Sequence, residues 1–249
     1  MLIAMGTGKT FAQGENLHAA WDRLLSTYVV ESADGVNRFD YSGLQANQAD
    51  RDALSAYLAQ FESFDMDSLD RDGQFAAWSN IYNALTVQHI IERYPVRSIR
   101  ANSFSGPWKR VKTVVGGEAV SLDAIEHEIL RPMGDARVHY AINCASYSCP
   151  NLMPSAWQAA TLDRDLDAAA AAYINPPRGV QVRPRGGLLV SDIYKWFRED
   201  FGGSENTVIA HFLKYAEPDL AADIRANADI KRYAYDWSLN DAAAQGKGT

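Results

Sequence analysis

Apolar residues recur at every third or fourth position along much of the chain, a spacing that places them on one face of an α-helix. In the first such run, Trp21, Leu24, Leu25 and Tyr28 share a face. The pattern predicts several amphipathic helices that bury their apolar faces in a core. The predicted helices cover residues 17–30, 50–61, 75–94, 122–131, 162–174 and 208–215, with a shorter segment at 193–197.

The helix predicted at residues 75–94 is apolar on two opposite faces, and Pro95 ends it. A helix of this kind is buried, so we expect it at the centre of the fold. Asn80 and Asn83 fall on its second face. A buried amide without a hydrogen-bond partner costs about 1–3 kcal/mol, so these side chains either hold a neighbouring loop or face a site.

Shorter stretches of alternating or β-branched residues predict strands. Gly116-Gly117 separates two of them and predicts a tight hairpin turn. The predicted strands cover residues 109–115, 118–121, 137–144, 180–183, 188–191 and 232–239. Hairpins interspersed with helices predict an α+β fold, in which a buried central helix and further helices pack on a mostly antiparallel sheet.

Ser121 is predicted to cap the helix at residues 122–131. Within this helix Glu126 projects close to the apolar face, whereas His127 and Arg131 point away from it. A carboxylate that leans toward the core needs a cationic or hydrogen-bonding partner. Glu126 is therefore a candidate site residue.

Neither a repeat nor a linker divides residues 17–240, which we expect to form a single globular domain. Residues 1–16 are predicted to be a disordered leader or the remnant of a secretion signal, and residues 241–249 a flexible tail. The leader contains Gly6-Thr7-Gly8-Lys9-Thr10, which ends like a phosphate-binding loop. Such a loop follows a buried strand and opens a helix, and neither context is present, so nucleotide hydrolysis is disfavoured.

The composition narrows the function classes. Hydrophobic residues make up 47% of the chain and charged residues 22%, as in soluble globular proteins. The net charge of −7, with acidic and basic residues interspersed, argues against a nucleic-acid partner. The sequence has no apolar run long enough to predict a membrane span.

Both cysteines lie in the segment at residues 139–152, HYAINCASYSCPNL. Strand alternation places His139 and Cys144 on opposite faces. Cys149 directly precedes Pro150, and a helix beginning there would lower the thiol pKa. Four interpretations remain open: two packed thiols, a disulfide, a thiol catalyst with a histidine base, or a zinc site. Zinc is the weakest because only three ligands are available, so no metal or cofactor is predicted.

Several motifs together resemble the bacterial and plant family called domain of unknown function 547 (DUF547). The resemblance covers residues 17–240. Bacterial members typically begin with a secretion signal, so it implies a periplasmic or secreted protein, although the leader here is not a complete signal. The motifs are Trp78-x-Asn80-x-Tyr82-Asn83-Ala84, Glu126-His127 with Arg131-Pro132, His139-x3-Asn143-Cys144-Ala145-Ser146-x-Ser148-Cys149-Pro150, Lys195-Trp196-Phe197 and Tyr235-Asp236-Trp237-Ser238-Leu239-Asn240.

The family supplies no reaction, so the residues must suggest one. Our first hypothesis is a thiol-dependent hydrolase or acyl-transfer enzyme acting on an unidentified small molecule or peptide. The alternatives are an exported binding or scaffold domain with a structural cysteine pair, and a thiol-redox or thiol-ligand binding protein. In the first hypothesis Cys149 or, as second choice, Cys144 is the nucleophile, His139 or His127 the base and Glu126 an orienting group, with Asn80, Asn83, Asn143 and Arg131 as substrate contacts.

Overall fold

The described chain, residues 17–101 and 106–243 of a computed structural model, alternates helices with short strands. The α-helices are α1 (Ala19–Tyr28), α2 (Tyr41–Ala46), α3 (Gln48–Ala59), α4 (Arg71–Ile91), α5 (Leu122–Ala124), α6 (Val138–Ala141), α7 (Leu162–Ile174), α8 (Ile193–Trp196), α9 (Glu205–Tyr215) and α10 (Pro218–Ala226). The strands are β1 (Val29–Val30), β2 (Arg38–Phe39), β3 (Lys112–Val115), β4 (Glu118–Ser121), β5 (Val180–Val182), β6 (Leu188–Ser191) and β7 (Ile230–Ala234). The predicted α+β class is confirmed.

Helix α4 is the predicted central helix, and it is buried on all sides over most of its length. It begins earlier than the apolar pattern indicated because the Asp70 side chain accepts a hydrogen bond of 2.8 Å from the backbone N–H of Gly73. It ends at Ile91, before Pro95. Helices α2 and α3 pack beside it, and α1 packs on α2 and α3. The buried apolar side chains of all three join one cluster with those of α4.

The sheets are small. Strands β1 and β2 pair antiparallel, as do β3 and β4. Gly116 and Gly117 have φ values of 60° and 86°, as the predicted two-residue hairpin turn requires. In the third sheet β6 lies between β5, to which it is antiparallel, and β7, to which it is parallel. Because β6 and β7 are parallel, the segments that follow them leave the sheet at the same edge.

The helix predicted at residues 122–131 forms with a local irregularity. Ser121 caps it as expected, accepting a hydrogen bond of 3.1 Å from the N–H of Ala124. After the single turn of α5 the chain widens into a π-helical turn over Ile125–Leu130 and ends in a 3₁₀ turn over Arg131–Met133. Isolated π-turns often occur at functional sites, and this one contains Glu126.

The strand predicted at residues 137–144 is wrong: Val138–Ala141 form one helical turn, and the residues after it are an irregular loop. The reason lies in the tertiary structure, because none of the strands in the described part of the chain pairs with this segment. Instead the Asn83 side chain of α4 binds the carbonyl of Ala141 and the N–H of Asn143 at 2.9 and 2.8 Å. The expectation that His139 and Cys144 point to opposite sides fails with the strand.

The last predicted strand forms only at its beginning, as β7. Asp241, the first residue of the predicted tail, accepts a hydrogen bond of 2.8 Å from the Tyr94 hydroxyl. The leader at residues 1–16, its Gly6–Thr10 motif and the end of the tail at residues 244–249 lie outside the described residues. None of the described helices is both long and apolar enough to cross a membrane.

Candidate functional site

A pocket of about 350 Å³ opens where the ends of β6 and β7 approach α4 and the π-turn. The residues that follow the two parallel strands, together with Trp108, supply its aromatic wall. Its polar groups come from α4, the π-turn and the segment at residues 138–150, and also from Lys109, Arg110 and Asp123. Its lining is Tyr82, Gly106, Trp108, Lys109, Arg110, Asp123, Glu126, His127, His139, Ile142, Cys144, Cys149, Pro150, Ile193, Trp196, Phe197, Tyr235 and Trp237.

The loop that carries both cysteines, residues 142–150 and hereafter the cysteine loop, is fixed from α4 by side-chain amides. Besides the two bonds of Asn83, the Asn143 side chain donates to the carbonyl of Pro150 and accepts from the N–H of Ala145, both at 2.7 Å. Ala145 has a φ of 60°, a left-handed conformation that is unusual for a residue other than glycine. The loop backbone is therefore strained at Ala145, and the side-chain amides hold it in one conformation.

Other parts of the chain hold the second half of the cysteine loop. The Tyr173 hydroxyl of α7 donates to the Ser148 carbonyl at 2.7 Å. The guanidinium of Arg178 donates to the Cys149 carbonyl at 2.6 Å. The segment after β7 also pairs with the loop, through the N–H of Tyr147 and the Ser238 carbonyl at 2.7 Å. The position of Cys149 is thus set from several sides.

Three residues expected to contact substrate do not line the pocket. They are Asn80, Asn83 and Asn143, and their side-chain amides hydrogen-bond to backbone groups instead. Asn80 binds the backbone N–H and carbonyl of Trp157 at 3.0 and 2.9 Å. Their amides therefore hold neighbouring loops, one of the two outcomes that the sequence left open.

The two sulfurs lie side by side at the pocket. Cys149 Sγ and Cys144 Sγ are 2.7 Å apart. Cys149 Sγ also accepts hydrogen bonds from the backbone N–H of Cys144 at 3.0 Å and from the Tyr235 hydroxyl at 3.2 Å. Cys149 is only 4% exposed, so its contact with solvent is through the pocket.

These contacts separate the acidities of the two thiols. Burial would raise the pKa of Cys149, but hydrogen bonds from Cys144, Tyr235 and Ser146 outweigh it and lower the pKa to about 6. The hydrogen bond to Cys149 and burial raise the pKa of Cys144 well above its ordinary value. These contacts therefore favour the thiolate on Cys149 and the neutral thiol on Cys144. No helix begins at Pro150, so the helix-terminus explanation for an acidic Cys149 is wrong.

Glu126 projects from the π-turn into the same pocket and is only 7% exposed. The Tyr82 hydroxyl of α4 donates a hydrogen bond to its Oε2 at 3.3 Å. Burial, reinforced by the negative charge of Cys149, raises the pKa of Glu126 to about 7. The pocket thus combines an ionised thiol with a carboxyl group that holds its proton near neutral pH.

His139 lines the pocket, but its ring is already engaged. Its Nε2 lies 2.7 Å from Oδ2 of Asp200, and the ring stacks on Phe197 with centroids 4.1 Å apart. Burial lowers the pKa of His139, although Asp200 opposes the shift. Arg131 does not line the pocket; it holds Asp200 in place through bonds of 2.6 and 2.9 Å.

His127 is the more exposed pocket histidine, and its Nδ1 lies 3.0 Å from the guanidinium of Arg131. Among the residues that the structure describes, neither His127 nor His139 hydrogen-bonds to a cysteine sulfur. The described residues also contain no cluster of three or more His, Cys, Asp or Glu side chains that could hold a metal ion.

Sequence reasoning missed Tyr235 and Asp200 as site residues. Tyr235 belongs to a quoted family motif, but nothing in its neighbourhood indicates contact with a cysteine far earlier in the chain. It forms a continuous aromatic wall with Trp196 and Trp237, at centroid distances of 4.9 and 4.6 Å. Trp196 is 45% exposed at the pocket, which leaves a large apolar surface available to a ligand.

Comparison with known proteins gives one family match, over part of the chain, and no activity. The profile of a family described as "Protein of unknown function, DUF547" matches residues 66–174. The matched segment contains both cysteines, Glu126 and His139, whereas Tyr235 and Asp200 lie beyond it. No curated protein and no solved structure matches the chain.

Proposed function

We propose that the chain is a thiol-dependent hydrolase or acyl-transfer enzyme with Cys149 as its nucleophile. The observation that carries the proposal is the sulfur of Cys149. Two donors, the Cys144 N–H and the Tyr235 hydroxyl, bind it and favour the thiolate, and this sulfur lines a pocket large enough for a small ligand.

In this proposal the reaction has two stages. The Cys149 thiolate attacks a substrate carbonyl carbon, and the bond to the leaving group breaks as protonated Glu126 supplies a proton to that group. The product is a thioester on Cys149. In the second stage the Glu126 carboxylate takes a proton from water or from another acyl acceptor. The molecule so activated attacks the thioester and releases the Cys149 thiolate.

Glu126 suits this role better than the histidine bases that the sequence suggested. Burial raises the pKa of Glu126 while hydrogen bonds lower the pKa of Cys149, which favours a protonated carboxyl beside a thiolate. We assign His139 a positioning role, in which the Arg131–Asp200 ion pair fixes its ring beneath Phe197.

The aromatic wall supports an apolar or aromatic acyl group as the substrate part bound beside Cys149. Trp108, Trp196, Tyr235 and Trp237 contact one another in pairs. Their ring faces bury apolar area at a low cost in conformational entropy.

The experiment is acylation by p-nitrophenyl butyrate, followed by p-nitrophenolate release and by mass spectrometry of the cysteine-containing peptide. We expect a burst of p-nitrophenolate and a butyryl group on Cys149 in the wild type, and neither in Cys149→Ser. Because p-nitrophenolate leaves without a proton, Glu126→Gln is expected to slow deacylation and hence the steady release after the burst. Glu128→Gln is the matched control, since Glu128 is an exposed neighbour in the same π-turn.

Acylation elsewhere in the chain, or equal release by Cys149→Ser, would contradict the proposal. So would a folded wild type whose cysteines react no faster with iodoacetamide than a free cysteine. That result would favour the alternative of a binding or scaffold domain with a structural cysteine pair.

A further inference from the structure

The cysteine pair has a geometry that acyl transfer alone does not require. The separation of 2.7 Å between the two sulfurs is shorter than van der Waals contact, and a disulfide bond of about 2.05 Å needs only a small further approach. An acyl-transfer nucleophile needs one sulfur, so the second sulfur calls for its own explanation.

The cysteine loop does not depend on a covalent bond between the cysteines to keep its shape. Hydrogen bonds with Asn83, Tyr173 and Arg178 hold its backbone from outside, and Asn143 ties its two ends together. A disulfide here would close a very short loop, for which the gain in chain entropy is small. The bond can therefore form and break while the loop stays in place.

The two thiols also differ in acidity, as is required of a cysteine that attacks an oxidant and a second cysteine that resolves the product. Cys149 is the more acidic thiol, which makes it the group that reacts first with an oxidant. Cys144, which is half-buried, keeps its proton and lies against Cys149 Sγ, where it can displace a leaving group from that sulfur. The hydroxyls of Ser146 and Tyr235, each 3.2 Å from Cys144 Sγ, hydrogen-bond to this sulfur and hold it beside Cys149.

We propose that Cys144 and Cys149 form a reversible disulfide that switches the nucleophile off, with a hydroperoxide as the oxidant and Cys144 as the resolving thiol. The switching effect rests on the proposed function of Cys149, whereas disulfide formation itself does not. A hydroperoxide is small enough to reach the sulfurs through the pocket that both of them line.

The electrons and atoms balance in two steps. The Cys149 thiolate attacks one oxygen of the hydroperoxide, the O–O bond breaks, and the products are a sulfenic acid on Cys149 and an alkoxide or hydroxide that takes a proton. Cys144 Sγ then attacks Cys149 Sγ, the S–O bond breaks, and the hydroxyl group leaves as water with the Cys144 proton. Two thiols are oxidised by two electrons and one peroxide is reduced. A dithiol reductant reverses the disulfide by thiol exchange.

The test oxidises the reduced full-length chain with an equimolar amount of hydrogen peroxide and measures its mass. Dimedone is present in one set of samples to trap sulfenic acid. We expect the wild type to lose two hydrogen atoms, to gain little dimedone, and to recover all alkylation of Cys149 after treatment with dithiothreitol. In Cys144→Ser we expect dimedone on Cys149 and, with excess peroxide, a sulfinic acid that dithiothreitol does not reverse.

Three results would overturn the proposal: a wild type that accumulates sulfenic acid without a disulfide, a disulfide that dithiothreitol cannot reduce, or equal irreversible oxidation of wild type and Cys144→Ser. If Cys144→Ser does not fold, the wild type is equilibrated in glutathione redox buffers instead, and the state of its cysteine pair is measured by mass. A reversible transition between dithiol and disulfide supports the proposal, and a pair that stays in one state throughout contradicts it. All these readouts are masses and do not depend on ester hydrolysis. If the chain does not hydrolyse esters, the proposed function is contradicted, but disulfide formation can still be measured.

Discussion

Replacing Glu126 with glutamine should stabilise the protein above neutral pH. Glu126 is only 7% exposed, and burial followed by the charge of Cys149 raises its pKa from 4.5 to about 7. The folded state therefore holds this proton more tightly than the unfolded state does. Folding stability is lost as the pH rises from about 4.5 to about 7, and the loss persists at higher pH.

The size of the effect follows from the difference between the two pKa values. A shift from 4.5 to about 7 is about 2.5 units, which at about 1.36 kcal/mol per unit is roughly 3 kcal/mol. Glutamine removes the ionisation but keeps an oxygen that can accept the Tyr82 hydroxyl hydrogen bond of 3.3 Å. We therefore expect Glu126→Gln to gain about 1–3 kcal/mol at about pH 8 and nothing at about pH 4.

Urea unfolding followed by circular dichroism at several pH values measures this difference directly. Glu128→Gln, which changes an exposed carboxylate in the same π-turn, is the control and should show little gain at any pH. A Glu126→Gln variant that is less stable than the wild type at about pH 8 would refute the reasoning. So would a stability difference that does not change with pH.

Three further variants test other contacts of the site. Tyr235→Phe removes the 3.2 Å hydrogen bond to Cys149 Sγ and should raise the Cys149 pKa by about one unit, because a hydrogen bond to a charged group contributes about 1.5–3 kcal/mol; an unchanged pH profile of alkylation would contradict this. Asn83→Ala leaves the Asn143 N–H without its partner, while the Ala141 carbonyl keeps the Trp157 indole N–H at 3.0 Å; it should cost about 1–3 kcal/mol in urea unfolding, whereas no measurable loss would argue that the loop is held elsewhere. Asp200→Asn removes the carboxylate whose charge opposes the effect of burial on His139, and it should lower the His139 pKa further, as measured by NMR titration. A higher His139 pKa in this variant would show that Asp200 does not stabilise the charged ring.

Much of the fold follows from local patterns. Helix α7 begins and ends at the residues that the apolar spacing indicated, and the turn of the β3–β4 hairpin forms at Gly116-Gly117 as two glycines in sequence require. The segment at residues 138–144 could not be predicted in this way. Its backbone is satisfied by the side chain of Asn83, distant in the sequence, and no local propensity contains that information.

The site was predictable only where a residue is unusual for its own surroundings. Glu126 was identified because a carboxylate leans toward an apolar face, and Cys149 because of its motif. Tyr235 and Asp200 carry no such signal: each acquires its role from a contact with a segment far away in the chain, to Cys149 at 3.2 Å and to His139 at 2.7 Å. The π-turn that presents Glu126 is likewise not encoded by apolar spacing, which indicated an ordinary helix.

The pH dependence of alkylation at Cys149 tests the central claim, that its sulfur is a thiolate nucleophile at neutral pH. The reduced protein is treated with iodoacetamide from about pH 5 to about pH 9 and each cysteine is quantified by peptide mass spectrometry. We predict that the rate at Cys149 rises with a midpoint near 6 and that Cys144 stays slow throughout. A Cys149 midpoint near the value of about 8.5 of an ordinary thiol, or faster labelling of Cys144, would contradict the account.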